Sequence, residues 1–387
     1  MSNPIDQAVF HAIREVEFPW AADTVYMDNA AIGPLPERTR RFLDDFTRRR
    51  AAPYLLNPPQ LHDSLQEART VVARLLNAGT DEIGLATNTS FGLNVAAQSL
   101  PLEPGDAVLI SEGEFPANVY PWLRLKERGI HVELAPRTAA GWPDEDYLVE
   151  RVHDPATRAL TISLVQFSNG YRADLARLGK ACREAGCFLV VDGIQAIGQV
   201  AFDVKETPVD ILACGAQKWL LSPWGSGFVY VRRELLEVLD PPVVGWMAFE
   251  GTDDTANLTG YAGGLRCDAR RFELNTLPFQ DLLAMTVSIN MLLELGIDNV
   301  AEWLREVRQP LVEFASRCGM PIVSPTDPDH ESGIVSIVPA RPRETHTRLN
   351  AAGVVCSLRE GAIRIAPHCY NTPEEMEKVA SILAESG

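Results

Sequence analysis

A chain of 387 residues, 46% of them hydrophobic, can bury a sizeable core and exceeds one ordinary domain, which sets aside a disordered or fibrous protein. Its 52 acidic against 35 basic residues leave a net charge of −17, which argues against a nucleic-acid-binding surface or a basic membrane patch and favours small-molecule chemistry. Seven cysteines without a Cys-x-x-Cys pair form neither a disulfide framework nor a zinc ribbon, and residues 1–15 lack a basic start followed by an apolar run; a cytoplasmic protein with no metal site and no membrane partner is expected.

In chain order, Asn88, Thr89 and Ser90 open a helical run over 91–98. Short apolar runs follow at 107–110, 131–134, 159–165, 187–191, 211–213 and 227–231, with helical patterns between several of them, as over 175–185. Runs apolar on both faces and separated by helices predict an α/β architecture built on a mostly parallel sheet, covered on both sides. After about residue 263 the pattern changes to a long helix over 278–295, another from Ala301, a strand near 333–338 and a final helix from Pro373. This predicts a large domain over 23–262 and a smaller α+β domain over 263–387, with segment 1–22 packing back on the latter.

Ligands of such sheets collect beyond the carboxyl ends of the strands. There lie Glu114, Phe115 and Pro116 after one run, Asn169 after another, Asp192 after a third, and Lys218 ahead of the glycines at 225 and 227. A lysine between a buried strand and a Gly-rich turn is a poor solvated charge and a good Schiff-base nucleophile, because desolvation lowers its proton affinity; alone it would still read as structural. Asp192 could cap a turn, or hold the ring nitrogen of pyridoxal 5′-phosphate (PLP) protonated, with Gln195 within reach of the ring hydroxyl. Thr89 and Ser90 read equally as helix caps or as a phosphate cradle at the positive end of the helix.

Together these residues resemble the class V aminotransferase family of fold-type I PLP enzymes, which includes cysteine desulfurases, selenocysteine lyases and isopenicillin-N-epimerase-like proteins. The resemblance runs from Tyr26, Met27, Asp28, Asn29, Ala30 and Ala31 to Tyr370, Asn371 and Thr372. It implies a seven-stranded-type sheet, PLP on Lys218, Asp192 at the pyridine nitrogen, Gln195 and Asn169 near the ring oxygen, and Thr89, Ser90 and Gln217 on the phosphate. It further implies Phe115 stacked over the ring, Arg364 and Asn29 on the substrate, and a homodimer in which Thr276 reaches the phosphate of the neighbouring subunit. The family's glycine before that threonine is Asn275 here.

Departures from the family pattern bear on the reaction. The segment around Cys356 is too short for the loop that carries a desulfurase's nucleophilic cysteine, so Cys356 is expected to be a buried strand residue. A phenyl ring at 115, where desulfurases have histidine, has no general-acid capacity. Gly215 and Gln217 replace a hydroxyl residue and a histidine on the phosphate side. These changes point away from sulfur transfer and towards transamination, racemisation or another Cα chemistry; the leading reading is transamination of an amino acid or amine with a 2-oxo acid, ahead of a C–S lyase or desulfurase, an epimerase, and a non-catalytic PLP-fold binding protein.

Overall fold

The apolar runs become strands of one sheet because each feeds two cores. A computed structural model describes residues 6–254, 256–261, 263–274 and 276–384; Asn275 lies outside them. After β1 (Val25–Tyr26), the sheet strands are β2 (Ile83–Ala86), β3 (Ala107–Ser111), β4 (His131–Ala135), β5 (Thr157–Ser163), β6 (Phe188–Asp192), β7 (Ile211–Gly215) and β8 (Gly227–Val231). Their order across the sheet is β2-β8-β7-β6-β5-β3-β4. Pairs from β4 through β7 are parallel, and β8 runs antiparallel to both β7 and β2. On β6, Leu189 and Val191 enter one apolar cluster and Val190 the other, which is why these runs are apolar on both faces.

The helix Leu175–Ala185 follows its sequence signals, with Asp174 accepting from the Arg177 N–H at 3.0 Å and Gly186 at a φ of 66° ending it. The strand β2 escapes the apolar-run reading: four residues, one of them glycine, carry too little pattern, and β8 supplies the hydrogen-bonding edge that makes them a strand.

Beyond the sheet lie β9 (Val335–Ile337), β10 (Val354–Val355), β11 (Ser357–Arg359) and β12 (Ala362–Ile365). The order β11-β12-β9 forms an antiparallel sheet, while β10 pairs in parallel with β1. The helices Ile297–Arg317 and Pro373–Ala384 flank it, and the helix Gln7–Glu17 packs there too: Phe10 stacks on Trp303 with centroids 4.9 Å apart, and Arg14 pairs with Glu375 at 2.6 Å. Among the described residues no single helix is long and apolar enough to cross a membrane.

One buried ion pair ties the helix Pro58–Leu76 to the sheet edge. Arg69 donates from Nη2 to both oxygens of Glu273, at 2.8 and 2.6 Å, and the Leu85 N–H donates to the same carboxylate at 3.0 Å. Both side chains are buried, so Glu273→Ala strands a guanidinium and an amide together; a loss of about 3–5 kcal/mol is expected. Urea unfolding would read it, and a loss under about 1 kcal/mol would show that water relieves the orphaned guanidinium.

Candidate active site

Neighbouring strands stop at the same level and present their last residues together. Ser163 and Asp192 are register partners at the ends of β5 and β6, and Lys218 follows the end of β7 by three residues. The Lys218 Nζ stands 5.7 Å from the centroid of the Phe115 ring. That ring is 44% exposed and meets Phe167 edge-on at 5.3 Å, leaving room over its face.

Burial holds Lys218 down at about 8; Asp192 opposes that shift, while the positive charges of Arg364 and Arg359 add to it. Burial pushes Asp192 up to about 7, a rise that the Ile194 N–H resists, donating to Oδ1 at 3.0 Å, and that the nearby Glu114 reinforces. Glu114 is itself buried and accepts from Asn118 Nδ2 at 2.9 Å, from the Ser163 N–H and hydroxyl at 2.7 and 2.5 Å, and from Gln166 at 2.5 Å. Burial thus brings a lysine and a carboxylate at neighbouring strand ends to proton affinities near neutrality, as acid–base chemistry requires.

The backbone at the lysine is fixed from several sides. The Gly33 N–H donates to the Gln217 carbonyl at 2.9 Å, and a Cβ on Gly33 would stand 2.1 Å from the Lys218 oxygen, so only glycine permits the approach. Leu221 turns back to the Lys218 carbonyl at 3.1 Å with a left-handed φ of 51°, a conformation that costs a branched residue about 1–2 kcal/mol. Next in the chain, the Trp219 indole N–H donates to Gln195 Oε1 at 2.8 Å, and its carbonyl lies 3.0 Å from His368 Nε2. His368 Nδ1 accepts from the Cys369 N–H at 2.6 Å, so the neutral ring carries its proton on Nε2; burial keeps it at about 4.

Asn88, rather than Thr89 or Ser90, caps the helix Thr89–Ser99, accepting from the Phe91 N–H at 2.9 Å. Thr89 Oγ1 instead accepts from the Gly215 N–H at 2.8 Å, which leaves its hydroxyl hydrogen and the first-turn amides of Thr89 and Ser90 open. A Cβ on Gly215 would meet Gln217 Oε1 at 2.6 Å, Thr89 Oγ1 at 3.1 Å and the Thr89 nitrogen at 3.3 Å. The cradle between these groups exists because residue 215 has no side chain. Donors at a helix start, a buried carboxylate at the next strand end and a lysine between them fit PLP in its phosphate, ring nitrogen and aldehyde.

The remaining expected residues fall on two sides of this cradle. Gln195 Nε2 donates to the Ala30 carbonyl at 3.0 Å, and Asn169 Nδ2 to that of Gly141 at 3.2 Å, so each amide keeps one hydrogen. Arg364, on β12, donates to the Phe167 carbonyl at 2.9 Å and to Asp28 at 3.2 Å, and Asp28 also accepts from the Ser357 hydroxyl at 2.6 Å. Among the described residues, Arg364 Nε and Asn29 Nδ2 are buried donors without an acceptor, an excess that a carboxylate ligand relieves. Thr276 is exposed and lines a groove with Thr87 and Phe91. Cys356 is buried between β10 and β11, its thiol pushed up to about 12.

The sequence reading assigned Asp28 no task of its own. It follows a two-residue strand and its partner lies 336 residues away, so no local spacing marks it.

Covalent uptake of PLP by the cofactor-free protein should follow the unprotonated Lys218 amine. Its rate is expected to rise with pH up to about 8 and then level off. A stopped-flow absorbance series from about pH 6 to 10.5 would read it; a rise continuing to the ordinary lysine range would place the amine in solvent.

The family model described as aminotransferase class-V matches residues 25–379. The chain is 30% identical to the uncharacterized aminotransferase YcbU of Bacillus subtilis, over 82% of each chain. It is 27% identical to a probable cysteine desulfurase of Pyrococcus abyssi, covering 95% of this chain and 96% of that one. The fold superposes on the apo cysteine desulfurase of Thermococcus onnurineus with a TM-score of 0.87 at 22% identity, covering 99% and 98% of the two chains.

Proposed function

Since the chain belongs to the class V aminotransferase family, we propose that it is a PLP-dependent aminotransferase that moves the amino group of an amino acid or amine to a 2-oxo acid. The observation that carries this reading over sulfur transfer is the burial of Cys356, which pushes its thiol up to about 12 and disfavours the thiolate that a nucleophilic cysteine needs.

When bound, PLP supplies an electron sink for the pair released at the substrate α-carbon. Lys218 would hold the cofactor, and its uncharged amine would accept the proton of the substrate α-carbon. Phe115 has no proton to give, and the protonated Lys218 amine would be the group to return the proton. Asp192, ionised once a cation lies against it, keeps the ring nitrogen protonated. Thr89, Ser90 and Gln217 would hold the phosphate, Gln195 and Asn169 would offer their free hydrogens to the ring oxygen, and Phe115 would lie against the ring. Arg364 and Asn29 bind the substrate carboxylate. The exposed Thr276 suits a homodimer in which it reaches the neighbouring phosphate.

The test is the absorbance of the purified protein during addition of an amino-acid panel, with 2-oxo acid and sulfide assayed in the same samples. Loss of the cofactor band with stoichiometric 2-oxo acid, reversed by a second 2-oxo acid, is expected, and Cys356→Ala should leave both unchanged. Sulfide or alanine formed from cysteine, and lost in that variant, would replace this reading with desulfuration; epimerised substrate without 2-oxo acid would replace it with racemisation.

A further inference from the structure

On the β11–β12 hairpin, Ser357 stands opposite Arg364 and Arg359 opposite Ala362. Side chains alternate across a strand, and directly opposed residues share a face, so Ser357, Arg359, Ala362 and Arg364 project on the same side. Ser357 and Arg364 both bond Asp28, at 2.6 and 3.2 Å, which identifies that side as the one turned to the site. Arg359 is the diagonal neighbour of Arg364, about 7–8 Å away along the backbone. It ends its strand at a two-residue turn whose central residues, Glu360 and Gly361, have φ values of 46° and 83°.

The two arginines differ in what surrounds them. Arg364 is buried and paired with Asp28. Arg359 is exposed, and among the described residues no carboxylate pairs with it, although the chain carries 52 acidic residues. Its register places it on the face of the hairpin that carries Ser357 and Arg364, the side turned to Asp28. Asp28, the acid of this face, is already held by Arg364 and Ser357. The site therefore offers one arginine for the α-carboxylate and a second, unneutralised one at the rim.

We propose that Arg359 binds a second anionic group on the substrate, so that the enzyme acts on α-amino acids with an acidic side chain and on the matching 2-oxo diacids. This rests on the assignment of Arg364 to the α-carboxylate. A planar guanidinium with parallel donors takes a carboxylate bidentately and rejects the isosteric amide, which returns an N–H toward the positive charge.

The experiment has a binding arm and a turnover arm, both on the PLP-loaded enzyme. In the first, glutarate and its monoamide are titrated against parent, Arg359→Gln and Arg359→Lys, following the cofactor absorbance. Glutarate is expected to bind about 10- to 100-fold more tightly than the monoamide in the parent, Arg359→Gln to abolish that ratio, and Arg359→Lys to restore part of it. Equal affinity for the two ligands in the parent, or a ratio that survives Arg359→Gln, would overturn the proposal. In the second arm, 2-oxo acid formation from aspartate, glutamate and 2-aminoadipate is compared with that from asparagine, glutamine and alanine. Absence of 2-oxo acid from every amino acid would refute the aminotransferase reading while the glutarate result still decides the role of Arg359. Product from the neutral amino acids with efficiency equal to the acidic ones would refute the substrate class while leaving transamination standing.

Discussion

Lys218→Ala is expected to lower 2-oxo acid formation by about 10⁴-fold or more, because one substitution removes both the nucleophile that holds the cofactor and the base at the substrate α-carbon. Loss of a general base alone is worth about 10²–10⁴-fold. The variant should fold, since among the described residues the Lys218 amine has no hydrogen-bond partner and burial disfavours its charge. It should also keep PLP non-covalently through the cradle of Thr89, Ser90 and Gln217, so that borohydride fixes cofactor to the parent and not to the variant. The other lysines, Lys126, Lys180, Lys205 and Lys378, are all exposed. Turnover within about tenfold of the parent would mean that one of them, or no lysine, serves as the base.

Asp192→Asn follows in size. The aspartate ends β6 beside a second buried carboxylate, and burial with that like charge favours its neutral form. A cation against it reverses the balance, so the ring nitrogen and Asp192 stabilise each other's charged states. Removing one partner of such a buried charge pair costs about 2–5 kcal/mol, or about 30-fold to several thousandfold in cofactor affinity. PLP titration of the cofactor-free variant reads this directly. An affinity within about threefold of the parent would show that the ring nitrogen is held by something else.

Much of the architecture was legible because buried parallel strands leave a dense local signal. The runs over 188–191 and 227–231 had to be apolar on both faces, and the helix Leu175–Ala185 carried a cap at each end. Lys218 and Asp192 were legible for a related reason, since a charge at the end of an apolar strand contradicts its surroundings and calls for a partner. Thr89 was ambiguous in sequence because cap and cradle use the same hydroxyl, and the structure separates them by giving the cap to Asn88. Asp28 was not legible, because its meaning lies entirely in Arg364 and Ser357. Glu114 marked a strand end in sequence, but its four donor groups come from Asn118 and from the stretch of Ser163 and Gln166, 49 and 52 residues on.

The link between Asp28 and Arg364 also has a temporal side. During translation, the partner of Asp28 is made 336 residues later, an interval of roughly 20–70 s at about 5–20 residues per second. All seven strands of the large sheet are complete by Val231, so that sheet can assemble on the ribosome while Asp28 waits in water. On the proposed assignment of Arg364 to the substrate carboxylate, substrate recognition would come last, after the lysine and the proposed phosphate cradle are in place.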